Sequence, residues 1–329
     1  MRIAVLGAGA WGTALAITFS KSHDVRLWVW DRAELESLRT TRENARFLPG
    51  FALPAAIRID GEVSVALEGA DAALVVVPTG ALRETLHRVA DANGIVPVIW
   101  ACKGFEPETA KLPHQVAGEV LGNRRILGVL SGPSFAQEVA KGLPTAVTLA
   151  CTDGGYAEDL VRQLNSQTLR LYYSSDVVGV EVGGAVKNVI AIAAGISDGL
   201  GFGHNARAAL ITRGLAEMSR LGVCLGGLQE TFLGLSGAGD LILTCTGDLS
   251  RNRRVGLALA EGKTLEAILA DLGHVAEGVH TAREVRALAG RLGVEMPITE
   301  TVCRMLFEGL NPRSAVAALL SREPKAESS

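Results

Sequence analysis

Short apolar runs alternate with amphipathic stretches through the first half of the chain. Ile3 to Leu6, Val25 to Trp30, Ala72 to Val77, Val96 to Ala101, Ile126 to Leu130, Ala146 to Leu149 and Leu169 to Tyr172 predict strands. Ala81 to Ala90 and Lys111 to Leu121 predict intervening helices. That alternation predicts a mostly parallel, doubly wound sheet of the α/β class, covered on both faces. Near Asp176 the pattern changes, and from Val178 onward helical periodicity with many Ala and Leu predicts an all-helical region. The expected division is an α/β domain over residues 1–180 and a helical domain over residues 181–329, with a frayed polar tail at 321–329.

The turn after the first strand reads Gly7-Ala8-Gly9-Ala10-Trp11-Gly12 and opens an apolar helix. Strand, glycine turn and helix in that order are the context of a dinucleotide-binding turn. Gly7 permits the tight turn, Gly9 admits a pyrophosphate, and Gly12 lets the helix pack on the sheet. Asp31 falls 24 residues after Gly7, at the end of the second strand, and Arg32 follows it. An acid there favours the ribose 2′-OH of NAD, and an arginine the 2′-phosphate of NADP. The expected cofactor is NADPH, with NADH as a second one.

The chain has 329 residues, 48% apolar and 20% charged, as in an ordinary two-domain globular protein. A formal net charge of -3 gives no electrostatic footprint for nucleic acid or a membrane surface. The five cysteines are scattered without a CxxC pair, which argues against a disulfide framework or zinc site and for a reducing cytosol. Met1 leads into the first strand without a signal-like segment, and no apolar stretch is long and uninterrupted enough to span a bilayer. A cytoplasmic protein is expected.

Ligands of open α/β sheets bind beyond the carboxyl ends of the strands. Pro78-Thr79-Gly80, Cys102-Lys103-Gly104 and Ser131-Gly132-Pro133-Ser134 follow successive strands and so share an edge with Gly9. Position alone leaves Lys103 open between a site residue and a solvated loop lysine. Lys187 is the only charge between Gly183 and Gly195 on an otherwise apolar helix. A desolvated lysine suits general acid–base work, although one snorkelling to a carboxylate fits the same pattern. Gly183 and Gly184 would let a nicotinamide or another element approach that helix. Further on, Asp240 and Thr244 are spaced to share a helical face. Ser250-Arg251-Asn252-Arg253-Arg254 suits a phosphate, or is a basic helix end. His204 and His280 lack ligand-spaced partners, and no metal is expected.

Taken together, the GAGAWGTALA turn, Asn44 to Gly50, Lys103-Gly104, Ser131 to Ala136, the Lys187-Asn188 helix, Gly203 to Ala208 and Leu249 to Arg254 resemble bacterial NAD(P)-dependent glycerol-3-phosphate dehydrogenases over nearly the whole chain. The resemblance implies that Lys187 donates and accepts the proton. It implies that Lys103, Gly132, Ser134, Asp240, Ser250, Arg251 and Asn252 line the substrate site, with Thr244 beside Asp240. It makes Trp11, Arg32, Lys103, Ala136, Arg251, Val275 and Glu277 cofactor contacts. The implied reaction interconverts dihydroxyacetone phosphate and sn-glycerol 3-phosphate, supplies phospholipid synthesis, and is carried out by a homodimer in the family. Ala10 and His204 stand where serine and aspartate are common. Two other readings are a β-hydroxyacid dehydrogenase of the same architecture, which would want a carboxylate site in place of Ser250 to Arg254, and an NAD(P)-sensing regulator, which needs no buried lysine.

Overall fold

One eight-stranded sheet is built from β1 (Arg2–Leu6), β2 (Asp24–Trp28), β3 (Arg58–Asp60), β4 (Ala72–Val75), β5 (Val98–Trp100), β6 (Leu127–Ser131), β7 (Thr145–Cys151) and β8 (Leu169–Ser174), in the order β3-β2-β1-β4-β5-β6-β7-β8. These elements come from a computed structural model describing residues 1–92, 95–122, 125–272 and 276–315. The expected frayed tail and Val275 lie outside the described residues. Strands β1 to β6 run parallel, β7 is antiparallel to β6, and β8 is parallel to β7. The order reverses between β1 and β4, which opens a crevice at the carboxyl ends of the strands.

Side chains alternate across each strand, so the sheet sorts its apolar residues into two layers. Ile3 and Val5 join Leu27, Leu74 and Ile99 on one face. Ala4 and Leu6 join Trp28, Val75 and Trp100 on the other. Two details differ from the sequence pattern. β3 carries only one buried residue, Ile59, in three, so it leaves no apolar run. Val29 and Val76 extend apolar runs without continuing the named strands, because apolarity reports burial and not ladder pairing.

Immediately after β8 the chain enters a 23-residue helix, Val177–Gly199. Asp176 caps it, accepting from the backbone N–H of Gly179 at 2.8 Å. Val177 and Val180 pack beneath the sheet. Val182 to Ile196 form the core of a helical region with Met218, Phe232, Leu241, Val255, Val279 and Val302. Long and apolar enough to cross a membrane, this helix is instead a core helix wrapped by others, chiefly Gly203–Cys224, Asp240–Thr246, Arg251–Ala260 and Glu277–Leu292. Backbones touch where it crosses Arg251–Ala260: a Cβ on Gly195 would lie 2.0 Å from the Arg253 carbonyl oxygen, and one on Gly256 would lie 2.0 Å from that of Ile192. Only glycine permits that approach.

Candidate active site

The glycine turn after β1 has the form its spacing predicts. Gly7 adopts φ +120°, and a Cβ there would lie 2.4 Å from the Val76 carbonyl oxygen. A Cβ on Gly12 would lie 1.9 Å from the Gly7 carbonyl oxygen. Around Gly9 the space is open, with nothing within 4 Å of a Cβ. Gly9 starts the helix Ala10–Phe19, whose first turn has neither a side-chain cap nor an acid. Its free N–H groups and positive dipole end therefore fit a pyrophosphate. Trp11 lies partly buried on that first turn, and Ala136 starts the helix Ala136–Lys141 beyond β6. Asp31 caps the next helix, Arg32–Thr41, by accepting from the Glu34 N–H at 2.9 Å, while Arg32 is exposed.

Two lysines from different domains converge on one carboxylate. Lys187 Nζ donates to Asp240 Oδ1 at 2.6 Å and to Thr244 Oγ1 at 2.9 Å. Lys103 Nζ donates to Asp240 Oδ2 at 2.7 Å and to the Gly132 carbonyl at 3.1 Å. Asp240 and Thr244 share one face of the helix Asp240–Thr246, as their spacing predicts, and the Thr244 hydroxyl donates to the Asp240 carbonyl at 2.6 Å. Gly132, at φ +142°, makes the turn beyond β6, and Ser134 Oγ also donates to its carbonyl at 3.0 Å. Lys103 is thereby tied into this cluster and is not a solvated loop lysine.

Burial pushes the Lys187 ammonium down to about 8; the Asp240 charge opposes this and that of Lys103 reinforces it. Burial disfavours the Asp240 carboxylate, but Lys103 and Lys187 outweigh it and hold its pKa below the ordinary range. Burial raises the Glu277 carboxyl against the pull of Arg251, Lys103 and Lys187. Glu277 thus belongs to the same electrostatic cluster. Gly183 and Gly184 admit the protein's own elements: a Cβ would lie 2.5 Å from the Ser236 carbonyl oxygen and 2.9 Å from Ser131 Oγ, respectively.

A second junction sits one residue further along the helix. Asn252 Nδ2 donates to Asn188 Oδ1 at 2.9 Å, and the Gly278 N–H donates to Asn252 Oδ1 at 3.1 Å. Ser250 caps the helix Arg251–Ala260 by accepting from the Arg253 N–H at 3.2 Å. Arg251 is exposed at that helix start, close enough to Glu277 to act on it. The basic run is not one cluster, however. Arg253 is tied into ion pairs with Asp198 and Asp248, and Arg254 is exposed.

Sequence reasoning assigned no role to Asn188, Gly278 or Ser131. Asn188 had a signal, being the one polar residue besides Lys187 between Gly183 and Gly195. Gly278 did not, because its closeness to the Asn188 carbonyl arises only from tertiary packing. The Ser131 hydroxyl is buried without a hydrogen-bond partner beside Lys103 and Gly184, so it is a polar atom available to a ligand.

Comparisons with known proteins agree with this arrangement. Family models for the NAD-dependent glycerol-3-phosphate dehydrogenase N-terminus and C-terminus match residues 2–157 and 176–317. The glycerol-3-phosphate dehydrogenase [NAD(P)+] of Nitrosospira multiformis is 60% identical over 99% of both chains. That of Dechloromonas aromatica is 57% identical over 99% of both. The crystal structure of the Coxiella burnetii glycerol-3-phosphate dehydrogenase superimposes with a TM-score of 0.94 at 44% identity, covering 98% of this chain and 99% of that one. The chain belongs to the NAD-dependent glycerol-3-phosphate dehydrogenase family.

Proposed function

We propose that this chain interconverts dihydroxyacetone phosphate and sn-glycerol 3-phosphate with NAD(P)H, with Lys187 moving the proton. The observation that carries this reading is the Lys187–Asp240–Lys103 cluster around a buried carboxylate, with Lys103 following β5 on the sheet edge where the glycine turn follows β1. Bound at that turn, the dinucleotide supplies or takes the hydride. In the reducing direction, negative charge grows on the carbonyl oxygen, and the Lys187 and Lys103 ammoniums are placed to stabilise it. Two of the three Lys187 N–H bonds are taken by Asp240 and Thr244, which leaves one to deliver the proton. In the oxidising direction the neutral amine accepts the hydroxyl proton. Arg251, Asn252 and Ser250, at the start of their helix, hold the phosphate, and that contact places the reacting carbon. The test is NADPH oxidation by the purified chain with dihydroxyacetone phosphate. Binding of NADPH without oxidation would favour a sensor over an enzyme.

Arg251→Ala should lower kcat/KM for dihydroxyacetone phosphate by roughly 10- to 100-fold, the loss of a hydrogen bond to a charged group. Dihydroxyacetone, which lacks the phosphate, is the control. Equal losses toward both substrates would assign Arg251 to the scaffold or the cofactor.

We also propose that NADPH is preferred to NADH. Asp31 spends its carboxylate on the cap of its own helix, while exposed Arg32 is left to meet a 2′-phosphate. Arg32→Ala should raise KM for NADPH about tenfold and KM for NADH much less. Similar changes in both constants would sink this assignment. Five unpaired cysteines, four of them buried, fit a cytoplasmic setting. The domain division is best drawn at 180/181, where the long helix passes from the sheet to the helical core.

A further inference from the structure

The two arginines that flank Asn252 have opposite commitments. Arg251 is exposed, with no side-chain hydrogen bond or ion pair among the described residues. Arg253, in the same helical turn, donates to Asp198 Oδ2 from Nε at 3.0 Å and from Nη2 at 2.8 Å, with both side chains only 12% exposed. Arg207 adds a third bond to the same oxygen at 3.0 Å. Asp198 stands in the last turn of Val177–Gly199, where the helix dipole disfavours an acid. Helix stability therefore does not account for it, and the guanidiniums do.

Geometry gives this ion pair a direction. Arg251–Ala260 crosses the long helix where the two backbones meet at Gly195 and Gly256. Its first turn is held by neighbouring residues pulling opposite ways along the long helix: Asn252 toward Asn188, and Arg253 toward Asp198. Without the second strut, Arg253 keeps only the exposed Asp248 as an ion-pair partner, and the turn carrying Ser250, Arg251 and Asn252 is tied to the long helix by side chains toward Asn188 alone.

We propose that Asp198, acting through Arg253, is a positioning residue for recognition of the substrate phosphate. The proposal rests on the dehydrogenase reading above and adds a residue pair to it. Asp198→Asn keeps shape and removes the charge. Its KM for dihydroxyacetone phosphate should rise about tenfold with kcat changed less than about threefold, while kcat/KM for dihydroxyacetone stays within about twofold. Asp198→Glu should restore part of the loss. Arg253→Met should reproduce the effect, and the double variant should be no worse than either single one, because both remove the same strut.

Wild-type turnover of dihydroxyacetone phosphate tests the dehydrogenase reading by itself, and its absence would overturn both. With an active wild type, a folded Asp198→Asn protein of unchanged KM overturns the positioning role alone. Equal losses toward both substrates, or additive losses in the double variant, do the same. If Asp198→Asn does not fold, Arg253→Lys decides, since it keeps the charge and loses the two-pronged bond: an unchanged KM overturns the proposal and a phosphate-specific rise supports it.

Discussion

Lys187→Met is expected to abolish turnover in a protein that still folds and still binds NADPH. Methionine matches the length of lysine and suits the apolar helix, whose surrounding residues are buried. Asp240 does not become a lone buried charge, because Lys103 stays 2.7 Å away. The dinucleotide turn around Gly9 lies on another element, so NADPH affinity should hold. Loss of general acid catalysis alone costs roughly 100- to 10,000-fold, and the missing ammonium also removes oxyanion stabilisation. The measurements are kcat for dihydroxyacetone phosphate, NADPH binding by fluorescence and a thermal melt. A folded variant with normal NADPH binding and more than about a tenth of wild-type kcat would remove Lys187 from the mechanism. Lys103 would then be the next candidate.

The same lysine is expected to set the pH dependence. Reduction needs the ammonium and oxidation needs the amine, and burial brings the changeover to about 8. The reduction rate should therefore fall as pH rises through that value, and the oxidation rate should rise. An alkaline limb at the ordinary lysine value would show that Lys187 titrates in a watery environment, against its burial.

How far these features were legible from the chain depended on the range of the interactions. The parallel sheet and the glycine turn are local: burial on both faces makes apolar runs, and Gly7, Gly9 and Gly12 act within one turn. Lys187 was legible because a charge on an apolar helix needs a reason, and Asp240 with Thr244 because helical spacing places them together. Their meeting was not legible, since Asp240 is 53 residues from Lys187 and 137 from Lys103. The division of labour between Arg251 and Arg253 was hidden for the same reason. In the sequence they are equal members of one basic run, and the ion pairs of Arg253 with Asp198 and Asp248 tell them apart. Local chemistry suggests candidates, whereas the pairing of charges follows from tertiary packing.

Asp240→Asn should give the second large effect, and it separates positioning from electrostatics. The amide keeps one oxygen, but its NH2 group must face either Lys103 or Lys187, both of which are donors. One lysine then loses its acceptor, and the buried Lys187 and partly buried Lys103 ammoniums lose the charge between them. Removing one partner of a buried ion pair is strongly destabilising, so the thermal midpoint should drop. Of the influences on Lys187, burial and Lys103 lower its pKa and Asp240 raises it. Without the Asp240 charge, the alkaline limb of reduction should move from near 8 toward lower pH, by about one unit or more. At neutral pH a shift of about one to two units leaves roughly a half to a tenth of the lysine as ammonium, and kcat should fall about 2- to 10-fold from protonation alone. A reduced kcat with the limb still near 8 would mean that Asp240 orients Lys187 without tuning it. An unchanged kcat would mean that the carboxylate between the lysines has no part in the chemistry, and the cluster would lose the residue that joins its two domains.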